Sequence, residues 1–180
     1  NTDNDFSYNE YMPSALDSVT ALYGDRIEIL EYHRNTLNDS SAYHQNLSDI
    51  IYQKYITGTG GFKGVPHVFL NGIAENVQGA FSVPSALSRL QAMADAHLSD
   101  NSDYTIEVGF ERNGNIITPV VKMARLGHLQ AHQIKVRAVL SALIQNPFHK
   151  RVVVAGVKSN DIPEIAAGEI HRLTLSPMVF

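Results

Sequence analysis

The sequence predicts an α/β domain followed by a small β-rich domain, and three observations carry that expectation. Apolar residues recur at helical spacing in three segments, all of them before residue 99. A Gly-Val-Pro turn at 64 to 66 runs into an apolar stretch and the pair Asn71-Gly72, a strong hairpin signal. Beyond Asp100 the pattern changes to short alternating apolar runs without a long amphipathic helix. The polar, turn-rich SDNSD at 99 to 103 sets the boundary, giving domains over 1–99 and 104–180.

Taken in order, Pro13 is expected to open a first helix, PSALDSVTALYG. Its apolar face is Leu16, Val19, Leu22 and Tyr23, and Gly24 stops it. IEILEY, 27 to 32, is β-branched and apolar on both faces, as a buried strand of a covered parallel sheet would be. A second helix is predicted over 41–56, with Tyr43, Leu47, Ile50, Ile51 and Tyr55 on one face, followed by the flexible connection TGTGGFKG. VFL and ENVQGAF then form the hairpin. SVPSALSRLQAMADAHL, 82 to 98, forms a third helix capped by Ser82, burying Leu87, Leu90, Met93, Ala94 and Leu98. In the second half, YTIEVGFERNGNIITPVVKMA predicts two strands around Asn113-Gly114, and HQIKVRAVLSALI and KRVVVAGV predict two more.

Composition narrows the function. Of 180 residues, 44% are hydrophobic and 18% charged, the balance of a globular chain. The net charge of -4 offers no basic footprint for nucleic acid or acidic lipid. No apolar run approaches the roughly 20 residues of a membrane-spanning helix. Any membrane association is therefore expected to come from outside these residues. NTDNDFSYNE has neither the basic start nor the apolar middle of a signal peptide, and the chain starts without Met, so a processed or partial chain is expected. With no cysteine, disulfides, thiolate metal sites and thiol catalysis are excluded.

Gly64-Val65-Pro66, the following strand, Asn71-Gly72, a second strand ending near Gly79 and a final helix together resemble the C-terminal half of a thioredoxin fold. The resemblance implies a cis proline at Pro66 and, beside it, a backbone edge that receives extended peptide by strand addition. It also implies that Asn9 and Met12 of Asn9-Glu10-Tyr11-Met12-Pro13 occupy the two positions of the family's Cys-x-x-Cys pair. An amide and a thioether cannot perform thiol-disulfide exchange. The second half is similar to secreted bacterial proteins in which a small β-sandwich follows a thioredoxin-like domain. There KVRAVL, HKRVVVAG and a segment ending Ala167-Gly168-Glu169 correspond to successive strands. The family's strand before the first helix is not visible in NTDNDFSY, and the sandwich stops early at Phe180. Both departures predict a portion of a longer protein, or a sheet completed by another segment.

Other constellations are weaker. His128 and His132 stand four apart, but Leu129 holds the place where the zinc-hydrolase pattern needs glutamate, and I-K-V-R-A-V favours strand over helix. His33 follows the predicted strand IEILEY at its C-terminal end, where open α/β sheets place ligands, with a structural role the stronger expectation. His67 follows Pro66 and faces the same choice. GTGGFKG lacks the ending and preceding strand of a phosphate loop, and no Gly-x-Ser-x-Gly elbow or triad grouping occurs.

The leading expectation is a redox-inactive, thioredoxin-like binding or assembly module without cofactor. The resemblance places it on the periplasmic or extracellular side of a bacterial envelope. Its binding surface would use Tyr11, Met12, Pro13, His33, Val65 and Pro66, and its partner would be another protein or an extended peptide. The alternatives are a structural accessory subunit of a larger membrane-associated complex, an oxidoreductase whose cysteines have been replaced, and a histidine-based metalloenzyme.

Overall fold

The computed structural model describes residues 6–33, 46–60, 64–72, 74–130, 133–143 and 151–180. Among the described residues are three α-helices and eight strands. The chain divides into two compact units, Asn1–Ser99 with Ala142–Val153, and Asp100–Ser141 with Val154–Phe180.

The first unit holds α1 (Phe6–Tyr23), α2 (Asn46–Thr59), the hairpin β1 (His67–Leu70) and β2 (Glu75–Gln78), and α3 (Val83–His97). Helix α1 begins well before Pro13, which lies inside it rather than at its start. Proline has no N–H to return to the Asn9 carbonyl, so one rung of the helix is missing there. The buried face is Met12, Ala15, Val19 and Tyr23, while Leu22, expected inside, is exposed. Against this face lie Ala86, Leu90, Met93 and Ala94 of α3. Small alanines on both helices let the backbones approach, and the Tyr23 hydroxyl donates to Asp95 Oδ1 at 2.7 Å. Ser82 caps α3 as expected, accepting from the Ser85 N–H at 3.3 Å.

The hairpin alternates, as strand geometry requires. Val68, Leu70 and Val77 pack on the α1–α3 core. Phe69 and His67 face Tyr52 and Tyr55 of α2, with ring centroids 5.2 Å apart for Tyr55 and Phe69. The turn places Asn71 and Gly72 at φ 45 and 82, the left-handed region that an Asn-Gly pair tolerates. Helix α2 runs on through Gly58 to Thr59, past the predicted end. Its buried face is Ser48, Ile51, Tyr52 and Ile56, so the expected face is rotated and Ile50 is exposed.

IEILEY is not a full strand. It makes one parallel bridge, Glu31 to Val152, with Glu31 N–H donating to Arg151 O and Val153 N–H to Glu31 O, both at 2.9 Å. Strand propensity needs a partner along its length, and Arg151–Val153 supplies only a short one. Val152 and Val153 are fully buried.

In the second unit β3 (Tyr104–Asn113), β4 (Ile116–Arg125) and β7 (Ile170–Thr174) form an antiparallel sheet in that order, and β8 (Met178–Val179) also pairs with β4. The β3–β4 turn centres on Gly114-Asn115, one residue beyond the predicted pair, with Gly114 at φ 58. β5 (Arg137–Leu143) and β6 (Arg151–Lys158) pair separately, and the divide between units falls within both strands. Ala167-Gly168 is a turn leading into β7, rather than the end of a strand.

Asp103 and Arg125, both buried, tie this unit together. Arg125 Nε donates to Asp103 Oδ2 at 2.9 Å, and its other nitrogens donate to the carbonyls of Ile165 and Leu129. Asp103 Oδ1 accepts from the backbone N–H groups of His128 and Leu129. Burial alone would raise the Asp103 pKa, but the Arg125 and backbone hydrogen bonds outweigh it and hold the carboxyl below its ordinary value of 3.8. Sequence pattern gave no hint of this pair, because the two residues meet only through the strand register.

Candidate functional site

The Val65–Pro66 peptide bond is cis. The residues on either side are held firmly. Upstream, the Tyr52 hydroxyl of α2 donates to the Gly64 carbonyl at 2.7 Å and accepts from the Gly64 N–H at 2.8 Å. One side chain thus satisfies both polar groups of that residue. Downstream, the Gly79 N–H donates to the Pro66 carbonyl at 2.9 Å, extending the hairpin. Arg89 of α3 donates to the carbonyls of Gln78 and Gly79.

Between these fixed points Val65 is 44% exposed. Neither its N–H nor its carbonyl has a hydrogen-bond partner among the described residues. A backbone donor and acceptor left uncommitted on a fixed turn can take a segment of extended chain. Tyr52→Phe is expected to leave both Gly64 groups without that partner. Thermal unfolding should then show a loss of about 1 to 3 kcal/mol.

His67 lies on the α2 side of the hairpin. It stacks on Phe69 with centroids 4.1 Å apart, and its Nε2 lies 3.0 Å from Asn76 Oδ1. Burial lowers its pKa, and the Asn76 contact only partly opposes this. Its place is among the α2 aromatics, away from the Val68 and Leu70 face.

The remaining predicted site residues divide sharply. Asn9 lies in α1, where only its backbone is described. Met12, expected on the binding surface, is 2% exposed and sits in the α1–α3 core, so it is removed from that surface. Tyr11 is partly buried against the same core, and Pro13 is partly buried within the helix. His33 is buried, with Nε2 3.2 Å from Glu31 Oε1, so its contacts are internal. Val65 remains the exposed member of the set, followed by partly buried Pro66.

His128 is exposed, and His132 lies outside the described residues. Among the described residues no group of three His, Asp or Glu could hold a metal ion, and no helix is long and apolar enough to cross a membrane. The chain matches no protein-family model, no curated protein and no solved structure.

Proposed function

We propose that this chain is a redox-inactive, thioredoxin-like binding module of a bacterial envelope, working on the periplasmic or extracellular side. It holds an extended peptide segment of a partner protein against Val65 and the Pro66 turn. The observation that carries this reading is the exposed residue Val65, its backbone without a hydrogen-bond partner among the described residues and set on a turn anchored through Tyr52 and the hairpin. Absence of cysteine from all 180 residues removes thiol exchange as the use of the same surface.

Strand addition draws its affinity from main-chain hydrogen bonds, so it tolerates varied side chains. Titrating a set of unstructured peptides into isotope-labelled protein should shift the Val65 amide and its hairpin neighbours, with slower hydrogen exchange at Val65. Shifts confined to other surfaces would defeat the reading. Turnover in an insulin-reduction assay would defeat it independently.

A further inference from the structure

His67 joins the Pro66 turn to helix α2. Its ring stacks on Phe69 with centroids 4.1 Å apart and meets the Tyr52 ring edge-to-face at 5.9 Å. Tyr52 is also the side chain whose hydroxyl holds both polar groups of Gly64. The imidazole and the clamp on the turn therefore lean on the same ring.

The surroundings of His67 suit its neutral form alone. With Nε2 3.0 Å from Asn76 Oδ1, the ring proton belongs on Nε2, and Nδ1 is left as an acceptor. Nδ1 is shielded from solvent and has no hydrogen-bond partner among the described residues. A second proton would create a charge and a shielded donor with nothing to receive it. The Phe69 face attracts a cation but supplies no acceptor. On α2 the Tyr52 hydroxyl is committed to Gly64, Tyr55 packs its ring on Phe69, and the charged residues Asp49 and Lys54 make no pair with His67. On β2 the charged residue is Glu75, which lies opposite Leu70 on the other face of the hairpin, its Oε2 3.4 Å from His97 Nε2. Burial holds the His67 ring below its ordinary value of 6.5, with Asn76 in partial opposition. The stability it contributes is thus full above that value and is lost as pH falls through the lower folded value.

We propose that His67 is an acid latch on the turn: a proton at Nδ1 drives the ring out of the aromatic stack, Tyr52 loses its packing, and the Gly64 clamp loosens so that bound peptide is released. The release step rests on the reading of Val65 as a peptide site. The latch itself acts in the free chain.

A capped, uncharged peptide of alternating Val and Thr, titrated into the full chain at about pH 7.5 and about pH 5, spans the range in which histidine changes charge. Affinity should fall about fivefold or more at the lower value, as for ordinary coupling between two sites. In the free chain, Gly64 amide protection, corrected for the intrinsic pH dependence of exchange, should fall with the same midpoint as the His67 ring resonance. His67→Phe keeps the stack and removes the titration, so its affinity should be equal at both values. An acid loss that persists in His67→Phe would overturn the proposal, because His33 or His97 would then be its source. Should that variant not fold, the shared midpoint in the parent chain decides. Equal affinity of the parent at both values overturns acid release and leaves the Val65 reading intact. Absence of binding at both values defeats the Val65 reading and, with it, release. Gly64 protection that stays constant through the ring's titration overturns the latch whether or not peptide binds.

Discussion

Met12→Ala is expected to destabilise the first unit by about 2 to 5 kcal/mol, the usual range for emptying a large buried apolar side chain. Met12 is among the largest fully buried side chains and touches a core drawn from α1, α3 and the hairpin. Removing its thioether arm loses contacts to helices that small alanines bring close together, which leaves little freedom to collapse. Met12→Leu, nearly equal in volume, should cost less than about 1.5 kcal/mol. Leu22→Ala, on the exposed side of the same helix, should fall within about 0.5 kcal/mol of the parent. Urea unfolding, followed by a probe in the first unit, checks the order. A neutral Met12→Ala would return this residue to the surface and reopen its role in binding.

The second large effect concerns acid. The Asp103 carboxyl is held below its ordinary value in the folded chain, so at low pH the unfolded chain binds the extra proton first. Its stabilisation is complete above the unfolded value, near 3.8, and is lost as pH falls through the lower folded value. Melting of the second unit should therefore soften steeply in that acid window. Asp103→Asn keeps the shape but leaves the buried Arg125 without its counter-charge. It should flatten the acid limb and lower the melting temperature at neutral pH more than Glu107→Gln, whose exposed pair with Lys122 contributes little. If Asp103→Asn retained the acid limb, some other carboxyl would have to be its source.

These two effects rest on residues of unequal legibility. The hairpin could be read because Asn71-Gly72 requires positive φ, and Gly-Val-Pro fixes the approach to it. Helix α3 could be read because Ser82 caps it locally and its apolar spacing is regular. The same locality explains β3 and β4, joined by a tight turn. IEILEY failed as a strand because its partner, Arg151–Val153, is remote in sequence and short. Pro13 misled because it is tolerated inside α1, where a missing N–H costs one rung instead of ending the helix. At the site, the cis turn was legible, but the Tyr52 clamp was not: a tyrosine twelve residues upstream is indistinguishable in sequence from another apolar helix residue. Nor could spacing reveal that Met12 and His33 point inward, since burial is decided by what packs over them.

The parallel bridge between Glu31 and Val152 also has a temporal side. Synthesis proceeds at about 5 to 20 residues per second, so several seconds separate release of Ser99 from release of Val153. During that interval the hairpin and the α1–α3 core can form from nearby chain, but the Glu31 backbone cannot yet meet Arg151 and Val153. The first unit is therefore nearly finished early and closed late, and its last stitch is made by a segment that the ribosome delivers only after β3 and β4 have emerged.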